Sequence, residues 1–445
     1  MVSRPVGLGT SRLGALPALG DSRKLRLFAV FLLYIAQGVP IGLFWYAIPA
    51  WMAANGADAR DVGYVLGLTA LPWSLKFVNG FIMDRYTFLA MGRRRVWLIG
   101  AQMMMIICLI GCAAIGPGPR DILLLGTIGF IVNAATTFQD VAVDGLAVDI
   151  MQEDERARAS GMMFGGQSIG IAAAAGLTGK AIALYGAAAA YLVAATFIGL
   201  VTLCILVVRE RSGERLVPWS SGEAHARNLA VHAGRWWPIL RNTAVAMIRP
   251  VSLLYIPILL VQGAYYGVMT GVTPLIGTQT AGWSEDQVTS IAGIGQLVAG
   301  ILGILLWGQL GDRIGAKAAG AMSFVAIAAM CVVMWLSVPY WGDRSFLTGF
   351  IIVSICLDVM TTVTLLPVAM RLSDPAVAAT QFTLYMALHN FGISFGAWLV
   401  ALSRDHGGSP VLFVWVFGLT VAALAILLAT RIPKVQVETI TPVVD

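Results

Sequence analysis

Five ionisable residues stand inside long apolar stretches of this chain: Lys76, Asp140, Asp144, Asp358 and His389. A charge near the middle of a bilayer costs at least about 2.5 to 3.5 kcal/mol on insertion scales, so each one needs a partner or a use. Asp140 and Asp144 are one helical turn apart, Asn133 falls on the same face with Thr136 and Thr137 beside it, and Gln139 is offset to the flank. A polar stripe on an otherwise apolar helix points to a water-filled cavity rather than to lipid. Lys76 lies about 10 Å into its stretch at 1.5 Å per residue, and the two acids lie about 6 to 12 Å deep from the same side. Depth therefore pairs Lys76 with Asp140 or Asp144. The chemistry open to such a group is proton binding and release or contact with a solute, and a structural ion pair is the competing reading. Asp358 and His389 carry the same alternatives in the C-terminal part, where His389 suits either a proton relay or hydrogen-bonded packing.

The elements that position these residues follow from composition. The chain has 445 residues, 58% of them hydrophobic and 12% charged, with a mean hydropathy of +0.82, far from the usage of soluble domains. Its apolar runs are about 20 residues long and lack the alternation of barrel strands, so helices are expected. Twelve spans are predicted, at 27–54, 61–83, 96–115, 122–148, 159–183, 188–208, 250–279, 287–308, 318–338, 346–369, 380–402 and 411–430. With both termini cytoplasmic, 23 of the 29 lysines and arginines fall on the inner side and 4 on the outer, which sets the expected orientation. The net charge of +6 is then loop bias facing anionic lipid rather than a nucleic-acid surface. The first 26 residues lack the apolar core of a removable signal, so the first span is expected to direct insertion. Cys108, Cys112, Cys204, Cys331 and Cys356 all fall inside spans and read as small packing residues.

The segment 209–249 is the one long polar interruption, and it divides the chain into a tail at 1–26, a six-helix bundle at 27–208, the linker, a second bundle at 250–430 and a tail at 431–445. The two bundles repeat each other. Gln37-Gly38 precedes Pro49 by twelve residues, and Gln262-Gly263 precedes Pro274 by twelve. Asp61 follows Gln37 by twenty-four residues, as Asp286 follows Gln262. Asp84-Arg85 ends the second span and Asp312-Arg313 the eighth. Parallel repeats of this kind place a site at their interface near the midplane, where kinked helices line a cavity. Pro40, Pro49, Pro72, Pro257, Pro274 and Pro367 each remove a helical hydrogen bond where such a kink is needed. In the linker, Arg227, Arg235, Trp236, Trp237, Arg241 and Arg249 interleave with apolar residues, the pattern of a basic amphipathic helix on the cytoplasmic surface that braces the halves.

The stretch Gly80-Phe-Ile-Met-Asp84-Arg85 with Arg93, Arg94 and Arg95, and its counterpart Gly308-Gln-Leu-Gly-Asp312-Arg313 with Lys317, resemble the loop signature of the major facilitator superfamily. The fold implied is all-α, with twelve transmembrane helices in two six-helix bundles. An Asp at such a place caps a helix end or pairs with Arg, holding helices in one state and releasing them in the other. Leu71-Pro-Trp-Ser-Leu-Lys76-Phe, Gln139-Asp140-Val-Ala-Val-Asp144 and Ala379-Thr380-Gln381 are similar to the family of AmpG muropeptide permeases and acetyl-CoA transporters, which also includes siderophore importers. That resemblance implies an importer of an amphiphilic or anionic organic solute in a bacterial cytoplasmic membrane, expected as a monomer in contact with lipid, and the intramembrane carboxylates point to proton coupling. Muropeptide is the first expectation and a siderophore the second. Because spans one and seven line the cavity in the superfamily, Trp45, Tyr46, Tyr265 and Tyr266 are candidates for stacking on solute. Gln37, Gln167, Gln262, Gln296, Asn133, Gln139 and Asn390 are the polar candidates.

No cofactor, metal or nucleic-acid partner is expected. The four histidines form neither HExxH nor a His-rich cluster, and there is no Gly-rich Walker loop for ATP. A membrane-embedded acyltransferase is the rival of another class, but the paired Asp-Arg loops have no place in one.

Overall fold

The computed structural model describes residues 17–57, 59–232, 235–283, 285–403 and 405–431. Most of the two expected tails, at 1–16 and 432–445, and Arg404 lie outside the described residues. Among the described residues, eleven helices are long and apolar enough to cross a membrane, or twelve when one bent pair counts as a single span.

α1 (Arg23–Gly42) passes through a wide π-helical turn at Leu43–Ala47 into α2 (Ile48–Ala54). Pro49, just past that turn, has no N–H to return to Trp45, which favours the looser winding before it. The second expected span is two helices, α3 (Ala59–Leu75) and α4 (Phe77–Arg85), bent by 46°. Pro72 in the last turn of α3 leaves a carbonyl without its helical donor and crowds the turn before it, so the bend falls just beyond, at Lys76. α5 (Arg95–Ile115), α6 (Ile122–Ile150), α7 (Arg156–Tyr185) and α8 (Ala187–Leu206) complete the first half. Gly186, at φ +85°, makes the abrupt turn between the last two.

The linker carries α9 (Ala226–Val231) and α10 (Trp236–Met247). α10 buries Ile239, Thr243 and Ala246 and exposes Trp237, Leu240 and Val245. It packs on α4 of the first half and on the short turn Pro375–Val377 of the second. The second half comprises α11 (Pro250–Leu275), extended by a π-helical turn to Thr280, and α12 (Glu285–Leu302), joined through a π-helical turn at Gly303–Trp307 to α13 (Gly308–Ile314). α14 (Ala316–Leu336), α15 (Arg344–Leu372), α16 (Ala378–Ser403) and α17 (Ser409–Ala429) follow.

Packing repeats the sequence duplication. α1 packs on α7, α3 on α6 and α5 on α8, and in the second half α11 packs on α16, α12 on α15 and α14 on α17. Small residues set the closest crossings, because without a Cβ two backbones can approach. A Cβ at Gly38 would stand 2.6 Å from Gln167 O, and one at Gly170 would stand 2.3 Å from Ile35 O. In the second half a Cβ at Gly263 would stand 2.0 Å from His389 O, and one at Gly396 would stand 2.3 Å from Ala264 O. Four Gly-xxx-Gly pairs, at 38/42, 166/170, 263/267 and 392/396, therefore hold the walls on which the polar candidates sit. Outward from these crossings, Ile107, Ile110, Leu200, Leu203, Val325 and Val333 are exposed, an apolar surface that suits lipid tails.

Candidate transport site

The bend at Lys76 aims its side chain between the halves. Lys76 Nζ is 2.8 Å from Asp140 Oδ2, and Trp73, one turn back on α3, lies with its ring 5.7 Å from the ammonium. Asp140 Oδ1 accepts a hydrogen bond of 2.7 Å from Gln37 Nε2 on α1. Asp144 accepts from the hydroxyl of Tyr34, one turn from Gln37 on α1. Two carboxylates, one ammonium, an amide and a phenol, drawn from α1, the α3–α4 bend and α6, thus form two bonded sets one helical turn apart on α6: Lys76–Asp140–Gln37 and Tyr34–Asp144. Carboxylates this close together share their affinity for a proton.

The group opens on a cavity of about 520 Å³ between the halves, within the range of small-molecule sites. Trp45, Tyr46, Trp73 and Tyr266 supply its aromatic walls, and Gln37, Gln167, Gln262, Gln296 and Asn390 line it with amides. Asp358 and His389 line the second half of the same cavity. Gln262 Nε2 donates to Thr362 Oγ1 at 2.9 Å, and Gln296 Nε2 donates across the halves to Ser168 Oγ at 2.9 Å.

Three candidates sit outside the lining. Asn133 accepts from Trp73 Nε1 at 2.9 Å and so orients a wall residue. Gln139 donates to Leu33 O at 2.8 Å, tying α6 to α1. Tyr265 points into its own bundle, its hydroxyl 2.8 Å from Ser354 O, while the adjacent Tyr266, about 100° further round the helix, takes the cavity side. Tyr34, Trp73, Ser168 and Thr362 are lining residues that sequence reasoning passed over. For Tyr34 a signal existed: it is one turn before Gln37 on the same face.

The cavity is closed at the end that carries the two Asp-Arg loops, and the closure is built twice. Asp84 Oδ2 accepts from Thr380 N at 2.9 Å and Thr380 Oγ1 at 2.8 Å, at the start of α16 in the opposite half. Its other oxygen is held by Arg94 at 2.8 Å and Arg93 at 3.1 Å. Arg93 also donates to the carbonyls of Pro375 and Ala376. In the repeat, Asp312 Oδ1 accepts from Arg158 N at 3.2 Å, at the start of α7 in the first half, and Arg158 Nε is 3.2 Å from Asp312 Oδ2. Each acid meets unpaired N–H groups at a helix N-terminus, where the helix dipole favours negative charge. The glycine one turn before each acid makes room: a Cβ at Gly80 would stand 2.8 Å from Thr380 Cα, and one at Gly308 would stand 2.9 Å from Arg158 Cα. Arg371 and Glu153 pair across the halves at the same end.

The remaining loop residues have other partners. Arg95 donates to Leu216 O and Leu206 O, so it fastens the linker rather than the acid. Lys317 Nζ donates to Leu428 O and Thr430 O, both at 2.8 Å, at the end of α17. Arg85 stacks on Tyr86 at 4.7 Å, and Arg313 is exposed. Across the halves, α4 and α6 pack on α16, and α7 packs on α12, α13 and α15.

Comparison with known proteins places this arrangement. The chain is 25% identical over 163 residues to the anhydromuropeptide permease of Escherichia coli K12, a match spanning 35% of this chain and 33% of the permease. Its fold is that of the transporter FucP in the outward conformation, with a TM-score of 0.65, 13% identity and coverage of 91% and 98% of the two chains. The human organic anion transporter MFSD10 also superposes with a TM-score of 0.65, at 15% identity, covering 92% of this chain and all of that one. With residues 27–397 matching the family model as well, the chain is a transporter of the Major Facilitator Superfamily.

Proposed function

We propose that this transporter couples proton entry to uptake of an organic solute across a bacterial cytoplasmic membrane, with its basic, closed end in the cytoplasm. A muropeptide-type solute is the first candidate, in line with the partial likeness to the anhydromuropeptide permease. The observation that carries the reading is the pair of adjacent bonded sets, Lys76–Asp140–Gln37 and Tyr34–Asp144, on the wall of the cavity between the halves. In this reading, protonation of Asp140 loosens its hold on Lys76 and Gln37, and so links the charge state of the first half to solute occupancy. The halves then rock, releasing Asp84 from Thr380 and Asp312 from Arg158 and closing the cavity on its other side.

The test is purified protein in liposomes under an inward proton gradient, with a radiolabelled disaccharide-tripeptide of the anhydromuropeptide type. Gradient-dependent accumulation that collapses with a protonophore is the expected result. Accumulation insensitive to the protonophore removes proton coupling, and no accumulation removes this cargo.

A further inference from the structure

Three carboxylates line the cavity, Asp140, Asp144 and Asp358, against the single ammonium of Lys76. In the first half both acids are answered by protein donors. Asp358 is not: among the described residues it has no hydrogen-bond or ion-pair partner, and its Oδ1 is buried without one.

The duplication shows how this acid differs from the others. α6 and α15 are both 29 residues long, and Asp140 and Thr362 hold the same place in them. The Gln37–Asp140 bond is accordingly mirrored by Gln262–Thr362, with a hydroxyl in place of the carboxylate. Lys76 stands eight residues before Asp84, and Ile304 stands eight before Asp312, so the ammonium has no counterpart either. The second half therefore has neither member of the ion pair. It has instead an acid one turn away, at the place that Thr136 holds in α6, where Thr136 turns its hydroxyl back to Val132 O. A carboxylate that faces a cavity with no protein cation paired to it is costly to keep charged, and a cationic cargo offsets that cost. Tyr266, Tyr46 and Trp45 line the same cavity, and aromatic faces stabilise an organic cation.

We infer that Asp358 is the docking carboxylate for a protonated amine on the solute, so that the cavity takes cations or zwitterions in preference to solutes without a positive group. The inference deepens the transport reading and rests on it. It divides the labour between the halves: the first holds the proton group, the second the solute amine. It also narrows the amphiphilic or anionic solute expected from the sequence to one that carries a positive group.

The experiment compares two probes in proteoliposomes: a disaccharide-tripeptide whose third residue bears a free amine, and the same compound N-acetylated on that amine. The native chain is expected to favour the free amine by about tenfold in half-saturation, the size of one charged hydrogen bond. Asp358→Asn is expected to erase that preference by weakening the free-amine probe alone. Equal weakening of both probes, or an undiminished preference in the variant, overturns the inference. So does a variant that loses gradient-driven accumulation but keeps counterflow, because Asp358 would then belong to the proton group.

If the native chain accumulates neither probe, the muropeptide cargo fails, and the amine site is read separately by labelling Asp358 with dicyclohexylcarbodiimide and locating the adduct by mass spectrometry. Protection by benzylammonium but not by benzyl alcohol upholds the site. Equal protection by both, no protection, or no adduct at Asp358 overturns it.

Discussion

At the scale of residues, the polar centre is a buried ion pair with two extra donors, and its parts differ in what their loss costs. Lys76→Met leaves Asp140 buried against Gln37 alone, and removing one partner of a buried pair costs about 3 to 5 kcal/mol. The variant is expected to melt well below the native protein in detergent, while Lys76→Met combined with Asp140→Leu regains most of the loss without regaining gradient-driven uptake. A double variant as unstable as the single one would mean that the pair is not what holds the bend. Asp140→Asn keeps the shape and the bond to Gln37, so it is expected to lose proton-driven accumulation while retaining part of the counterflow exchange. Equal loss of both activities would make Asp140 a solute ligand or a structural residue. Depth along the spans brought Lys76 level with Asp140 and Asp144, because rise per residue fixes all three, but the choice of Asp140 depends on how the α3–α4 bend turns Lys76 toward α6. Tyr265 was misdirected toward the cavity because sequence gave no register for adjacent aromatic residues, whereas rotation of about 100° per residue separates them in the helix.

At the scale of elements, the two Asp-Arg loops close on helix N-termini in opposite halves, and the glycines before them leave no space to spare. Gly80→Leu and Gly308→Leu are each expected to favour the state open at the basic end. A cysteine at Ala157, buried where α7 meets α13, should then be alkylated several times faster than in the otherwise native chain. An unchanged rate would show that the crossing yields without opening. The linker adds a second, pH-dependent fastening. Glu210 accepts from the backbone N–H groups of Arg93, Arg94 and Arg95 at 3.0, 2.8 and 3.1 Å. Burial, with Glu210 nearby, pushes the carboxyl of Glu214 up to about 8. The docked linker therefore binds a proton that the released linker, with an ordinary carboxyl near 4.5, does not. Docking is strongest below the ordinary value and weakens as pH rises through about 8. Hydrogen exchange of residues 211–228 should accelerate from pH 6 to pH 9 beyond the intrinsic change, and Glu214→Gln should flatten that difference. The Gly-xxx-Gly crossings were readable in the sequence as small-residue spacing. The capping of α16 by Asp84 was not, since nothing local to Asp84 names a partner nearly three hundred residues away.

At the scale of the molecule, the halves meet through closed ends and a shared cavity, and the repeat predicts that motion is confined to the contacts between them. Arg371 and Glu153 face each other across the halves at the basic end, and cysteines in both places, joined by a short reducible bis-thiol crosslinker, are expected to stop transport, with a reductant restoring it in the same liposomes. Transport that continues with the crosslink in place would mean that this end need not open. The all-helical fold and its spans were legible because hydrophobic length is a local property. The bend that splits the second span was only half legible: Pro72 announced it, but its position at Lys76 depends on what α3 and α4 pack against.

The reciprocal capping of α7 by Asp312 and of α16 by Asp84 bears on biogenesis. Thr380 lies 296 residues after Asp84, so during synthesis Asp84 has only Arg93 and Arg94 of its own half until the eleventh span has been made and inserted. A chain arrested before that span has α7 capped by Asp312 but leaves one oxygen of Asp84 without Thr380. The same bonds that shut the transporter thus also mark the arrival of α16.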